Sequence, residues 1–309
     1  QNIPCGSLKY TGSGASKVRA TGGFTLTGDI QANQSLTVLS QSNNTNAILS
    51  TDVVNKGSIA LSCFPAVPPA LSGCNGGDPG SGVGINVNSH QFTNAGTLTV
   101  AALSGTGVNI DGNGGTITNT GTMQFDQDAR LNGVVANKGP VNIANGKSLT
   151  SNGGCGGGPV KNETGGSINA TGTGALFVGN YEQGNGTTTG ANPVQLYGGC
   201  LKYTSTAGVG ASKVLVYAGF DLSGGMQAGQ ELTVTNNSAN TNLRLVSPFT
   251  SKGSITFTCP SSPCNGPGFN GNGNLFVNAG TFTVDAAASS GTTLDMCRGG
   301  MAHAAGPGG

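Results

Sequence analysis

Tryptophan is absent from the chain and charge is scarce: Asp, Glu, Lys and Arg make up 8% of the 309 residues, and aromatics only 5%. Disordered chains carry charge and proline in place of a core, and this one is poor in both, which excludes wholesale disorder. Thirteen basic against twelve acidic residues leave a net charge of +1. These charges are scattered singly, so the electrostatic footprint of a nucleic-acid or anionic-membrane binder is missing. No apolar run approaches the roughly 18 residues of a membrane-spanning helix, and no cationic start followed by an apolar stretch marks a secretion signal. The chain opens on Gln1, as expected of a processed product or a fragment. His90 and His303 are the only histidines, and neither belongs to a recognisable nucleophile–base motif.

What is abundant is glycine, 56 residues, about 18% against an average near 7%. It has no Gly-X-Y period, which excludes collagen, and no charged or proline-rich linker divides the chain. One continuous architecture is expected over 1–309.

Eight cysteines, Cys5, Cys63, Cys74, Cys155, Cys200, Cys259, Cys264 and Cys297, favour an oxidising, extracellular compartment. Zinc would require close pairs such as C-x2-C, and the closest pair is Cys259 with Cys264. Disulfides are therefore expected, with no metal and no cofactor.

Self-similarity organises the chain. Ala15-Ser16-Lys17-Val18 recurs as Ala211-Ser212-Lys213-Val214, Gln34-Ser35-Leu36-Thr37-Val38 as Gln230-Glu231-Leu232-Thr233-Val234, and Lys56-Gly57-Ser58-Ile59 as Lys252-Gly253-Ser254-Ile255, each 196 residues on. Phe92-Thr93-Asn94-Ala95-Gly96-Thr97 maps to Phe276-Val277-Asn278-Ala279-Gly280-Thr281 at 184. The difference falls in a Pro/Gly-rich loop between Phe64 and Gly84. This reading gives a complete copy over 1–195, a partial copy over 196–296 and a Gly/Ala-rich tail over 297–309.

Inside it runs a shorter motif: Asn, any residue, Gly, usually Ser or Thr, then apolar–polar–apolar. It occurs at Asn55, Asn94, Asn119, Asn137 and Asn278. Asn and Gly tolerate the left-handed backbone of a tight turn, and the alternation behind them is that of a strand with one buried face. Each unit is thus expected to be a turn plus a strand, one coil of a right-handed parallel β-helix with irregular coil lengths. The inward positions are Leu36, Val38, Ile59, Leu61, Leu98, Val100, Phe125 and Ile143. At roughly 22 residues per coil and about 4.8 Å per rung the rod would be about 65 Å long. A string of β-sandwich domains is the rival architecture.

Pro193-Val194-Gln195-Leu196-Tyr197-Gly198-Gly199 leading into Leu201-Lys202-Tyr203-Thr204, then Gly229 to Val234, then Asn278-Ala279-Gly280-Thr281, resembles the Gly/Asn/Thr-rich β-helical repeats of secreted and cell-surface bacterial proteins, those of actinobacteria most closely. More distantly it is similar to filamentous-haemagglutinin-like adhesins. The resemblance implies a surface or extracellular location and carries over no catalytic residue.

Other local signals have plainer explanations. Asp126, Asp128 and Arg130 form the one local carboxylate cluster, with both acids expected on the same face of a strand, solvated rather than catalytic. Asp111-Gly112-Asn113 and Gly77-Asp78-Pro79 lack the in-register recurrence of a calcium solenoid. The Gly153 to Gly158 run lacks the Lys-Ser/Thr of a phosphate loop. Thr-x-Thr pairs at Thr25, Thr97, Thr116 and Thr281 fit β-propensity better than an ice-binding face, because the coil spacing is uneven. Sequons stand at Asn33, Asn43, Asn162, Asn169, Asn185 and Asn236, and they leave glycosylation open.

The chain is therefore read as a non-enzymatic, extracellular structural subunit that stacks head to tail into a homopolymer. The alternatives are a monomeric adhesin binding a glycan or protein, and a carbohydrate-active β-helix enzyme. Cys63 is expected to pair with Cys74, Cys259 with Cys264, and Cys155 with Cys200. Cys5, taken as the repeat counterpart of Cys200, and Cys297 are left over for a bridge between subunits.

Overall fold

A computed structural model describes residues 1–40, 45–63, 82–101, 107–206, 208, 210–235, 242–258 and 268–285, together with the backbone of strands Leu294–Asp295 and Ala302–Ala304. The described chain is all-β, and every named strand pair is parallel, with strands stacked on those of neighbouring coils. This is the arrangement of a β-solenoid.

The alternation read from the sequence is what builds it. Phe24–Thr27 and Thr122–Phe125 each bury every second residue, so one face of each strand lines the interior. Pairing then aligns these residues into columns. Val18, Leu36, Ile59, Leu98, Met123, Val141 and Ile168 stack in register. Ala20, Val38, Leu61, Val100, Phe125 and Ile143 form a second column beside them. All eight inward residues expected from the sequence are at 1% exposure or less.

The long repeat is visible in the register. Gln34 and Gln230 are both buried; Gln34 Oε1 accepts from the Gln31 amide at 2.9 Å, and Gln230 Oε1 from the Gln227 amide at 2.8 Å. Gly6 pairs with Phe24 and Gly199 with Phe220, and Phe24 and Phe220 are themselves counterparts. The counterpart of Cys200 is therefore Ser7, which corrects the alignment of Cys5 with Cys200.

The Asn-x-Gly motif is not a left-handed turn. Gly57, Gly96, Gly121 and Gly139 are absent from the positive-φ residues. Glycine is required there because successive coils nearly touch: a Cβ on Gly96 would press on the Gly57 carbonyl oxygen, one on Gly121 on that of Gly96, and one on Gly139 on that of Gly121. Two residues earlier, the asparagines point inward. Asn55 donates to Asn94, Asn94 to Asn119, Asn119 to Asn137 and Asn137 to Asn162, amide to amide, at 2.8, 2.9, 2.9 and 3.1 Å. Each of these four donors has a second donation to a backbone carbonyl of the next coil, at Thr97, Thr122, Pro140 and Ser167, and Asn162 donates to the Thr187 carbonyl. All five are at 1% exposure or less. Gln183 takes the next place in the column and turns its amide to the carbonyls of Gly184 and Gly186.

Candidate functional site

Charged side chains on the outside mostly join one coil to the next. Lys161 lies opposite Glu182, Lys213 opposite Glu231 and Asp221 opposite Arg244 in the strand register, and each pair is in ionic contact. Asp29 accepts from the Val54 amide, Asp52 from Gln91 and Asp128 from Ser148, each in a neighbouring coil. Asp126 and Asp128 lie in the turn between strands Thr122–Phe125 and Ala129–Asn137, not on a strand face. Asp126 accepts from Gln124 at 2.7 Å, so the two carboxylates have separate structural partners. Arg130 is in the second of these strands, half-buried. Asp111 closes a local turn onto the Asn113 amide, with Asn113 at φ 41°. His90 Nδ1 stands 3.8 Å from Asp52. The sequon asparagine Asn162 is buried in the ladder, where it has no room for a glycan.

Cys155 and Cys200 are joined, with Cα atoms 5.0 Å apart. Cys155 lies between strands Ser148–Ser151 and Val160–Asn162, and Cys200 within strand Val194–Tyr203. Ser148–Ser151 pairs with the start of Ala175–Gln183, which pairs in turn with Val194–Tyr203. The bond thus clips two coils together across the one between them. Asp221 lies close to both sulfurs, yet the sulfurs are bonded to each other and Arg244 holds the carboxylate through two 2.7 Å hydrogen bonds. Cys5 is an exposed free thiol. The Cys63 side chain and all of Cys74, Cys259, Cys264 and Cys297 lie outside the described residues.

Beside the disulfide is the feature that the sequence reading missed. Phe177, Tyr197 and Tyr217 form an external aromatic stack, with ring centroids 5.7 and 4.7 Å apart. They recur every 20 residues in a chain with only 5% aromatics, a signal that was available. Tyr197 lies flat on Tyr217, 9° between the planes, and is 59% exposed. It stands at the head of a bulge whose next residues, Gly198 and Gly199, have φ of 96° and 107°. Leu196 pairs with Val216 on one side and with Val178 on the other, so Tyr217 adjoins Tyr197 from one neighbouring coil, and Phe177 and Gly179 from the other. Gly179 has to be glycine, since a Cβ there would meet the Gly153 carbonyl oxygen. The outcome is a lateral cleft of about 560 Å³, lined by Phe177, Tyr197, Thr150, Asn152 and a glycine floor, with no charged residue among the lining. Comparison with protein-family models, with curated proteins and with solved structures finds no match.

Proposed function

We propose that this chain is a non-enzymatic extracellular structural element, a right-handed β-solenoid whose copies stack head to tail. The observation that carries the reading is the outer edge of the first coil. Strand Gly6–Lys9 pairs with Phe24–Thr27 on one side. Its counterpart, Gly199 to Lys202, is paired on both sides, with Asn180 to Glu182 as the second partner. The first coil therefore repeats a strand that, deeper in the rod, accepts another coil, so a coil of the same kind, from a second copy in this proposal, fits against it. Such a head-to-tail contact is heterologous and generates an open filament.

The use of the carboxylates supports the non-catalytic part. Retaining or inverting glycoside hydrolysis needs two of them flanking one bond, whereas Asp29, Asp52, Asp128, Glu182, Asp221 and Glu231 are each engaged in holding neighbouring coils together. The Cys155–Cys200 bond fits an oxidising location.

Sedimentation and negative-stain microscopy across protein concentration test the stacking. Rods that lengthen in whole-subunit steps are expected, and a monomer at all concentrations overturns it. A non-reducing gel tests the covalent version: an oligomer ladder collapsing to monomer with reductant supports a Cys5–Cys297 bridge. The exposed Tyr197 ring favours a second reading, an adhesive role for the flank of the same rod.

A further inference from the structure

We infer that the cleft beside Tyr197 binds a neutral oligosaccharide, by packing the apolar CH face of a gluco-configured pyranose against the exposed part of the Tyr197 ring and the Phe177 wall. The inference rests on the adhesive reading alone and is independent of whether copies stack.

Three observations converge on this chemistry. One is the exposure of the ring: Tyr197 is 59% exposed although Tyr217 lies against one face at 4.7 Å and Phe177 approaches from the other side. Phe177, tilted by 31° at 5.7 Å, forms the aromatic wall of the cleft on that side. A flat aromatic surface with its polar hydroxyl at the rim is what a pyranose needs, since its axial C–H bonds meet the ring while its equatorial hydroxyls point sideways.

The second is the lining. Thr150 and Asn152 provide hydroxyl and amide groups, and the floor between them and the rings is glycine, with no side chain in the way. These are neutral donors and acceptors suited to sugar hydroxyls. Asp221 and Arg244 belong to an adjacent cleft and satisfy each other, and Arg130, opposite Thr150 in the strand register, stands outside the lining. An acidic glycan, a phosphate or a basic peptide would find no charge within the lining itself.

The third is rigidity. The glycine column is fixed by coil-to-coil contact, and the Cys155–Cys200 bond secures the bulge that carries Tyr197. A cleft already formed before binding loses little entropy when the ligand arrives, and about 560 Å³ lies within the usual range for small-ligand sites.

The test titrates the full chain with cellohexaose and with chitohexaose, both neutral, and with hexagalacturonate as the anionic control. Tyrosine fluorescence reports binding without interference, because the chain has no tryptophan. At least one neutral hexamer is expected to saturate. Tyr197→Ala should weaken it by about tenfold or more, whereas Tyr197→Phe, which keeps the ring, should stay within about threefold. Phe177→Ala provides a second variant at the wall and should also weaken binding. Circular dichroism and the intact disulfide mass confirm that each variant is folded. Failure of both neutral hexamers to saturate, equal binding of hexagalacturonate, or an unchanged affinity in Tyr197→Ala overturns the inference. So does a concentration-dependent dimer that Tyr197→Ala abolishes, which would mean that a second copy covers the ring. Filament length is measured separately, so loss of glycan binding with stacking intact identifies which reading has failed.

Discussion

The side chain of Asn94 donates to Asn119 Oδ1 at 2.9 Å, and the two residues are also opposite each other in the backbone register. A single residue type thereby links its coil twice, once through the strand and once through an amide in the interior. Leaving a buried amide unpaired costs about 1–3 kcal/mol, so the ladder is stable only while each member is present.

Asn119→Ala is the direct test. It removes the acceptor for Asn94 and both donations made by Asn119, to Asn137 and to the Pro140 carbonyl. A loss of about 2–4 kcal/mol is expected from denaturant unfolding. Asn119→Asp, with the same shape but no amide donors, should do no better, because its carboxylate would face the Asn137 oxygen. Destabilisation below about 0.5 kcal/mol in both variants would show that the ladder is incidental.

Gly121→Ala separates the two explanations of glycine in the same motif. If glycine served a left-handed turn, relief of strain would be the issue. Here the φ is ordinary, and the added methyl would instead press on the Gly96 carbonyl of the coil below. Overpacking of this kind typically costs about 1–3 kcal/mol, and more where backbone cannot yield. Gly12→Ala, where a Cβ meets nothing within 4 Å, should be close to neutral. Equal effects at the two sites would remove the close-packing account.

How far the sequence speaks for itself follows from these residues. The strands were legible because inward apolar positions alternate, as Leu98 and Val100 do, and a period of two has one structural meaning. The buried asparagines were not: a polar residue followed by Gly reads as a surface turn until the strand register shows Asn55 and Asn94 on the same interior column. The Cys155–Cys200 pair was legible: both cysteines follow double glycines, and although they are 45 residues apart the stacking of coils joins them as expected. For the cleft, the aromatic spacing was visible in the sequence, but only the strand register brings Phe177, Tyr197 and Tyr217 together on one flank.

The Cys155–Cys200 bond closes a loop of 45 residues, for which chain entropy gives about 4 kcal/mol of stabilisation. Cys155→Ser with Cys200→Ser should lower stability by roughly 3–4 kcal/mol. Because the crosslink spans three consecutive coils, hydrogen exchange should rise first in the turn from Asn152 to Gly158, ahead of the core strands. A double variant as stable as the oxidised parent would contradict this.

Alkaline pH should weaken the rod through its buried tyrosines. Burial pushes the Tyr10 hydroxyl up to about 12. Burial raises Tyr181 and Tyr203 further, with the neighbouring Tyr203 adding to the effect on Tyr181. In the unfolded chain a tyrosine ionises near pH 10. Above that pH the unfolded state holds fewer protons than the folded one, so stability falls as pH rises. Below it the contribution is constant. The fall begins near pH 10; for Tyr10 it levels off near 12, and for the other two it continues beyond. Each tyrosine within its window removes about 1.4 kcal/mol per pH unit. Denaturant midpoints measured from pH 8 to 11 should be flat at first and then drop. Tyr203→Phe should shallow the drop, and should be tolerated at neutral pH because the Tyr203 hydroxyl is buried without a hydrogen-bond partner. A midpoint that stays level through pH 11, or a Tyr203→Phe profile identical in slope to the parent, would show that these hydroxyls are reached by solvent.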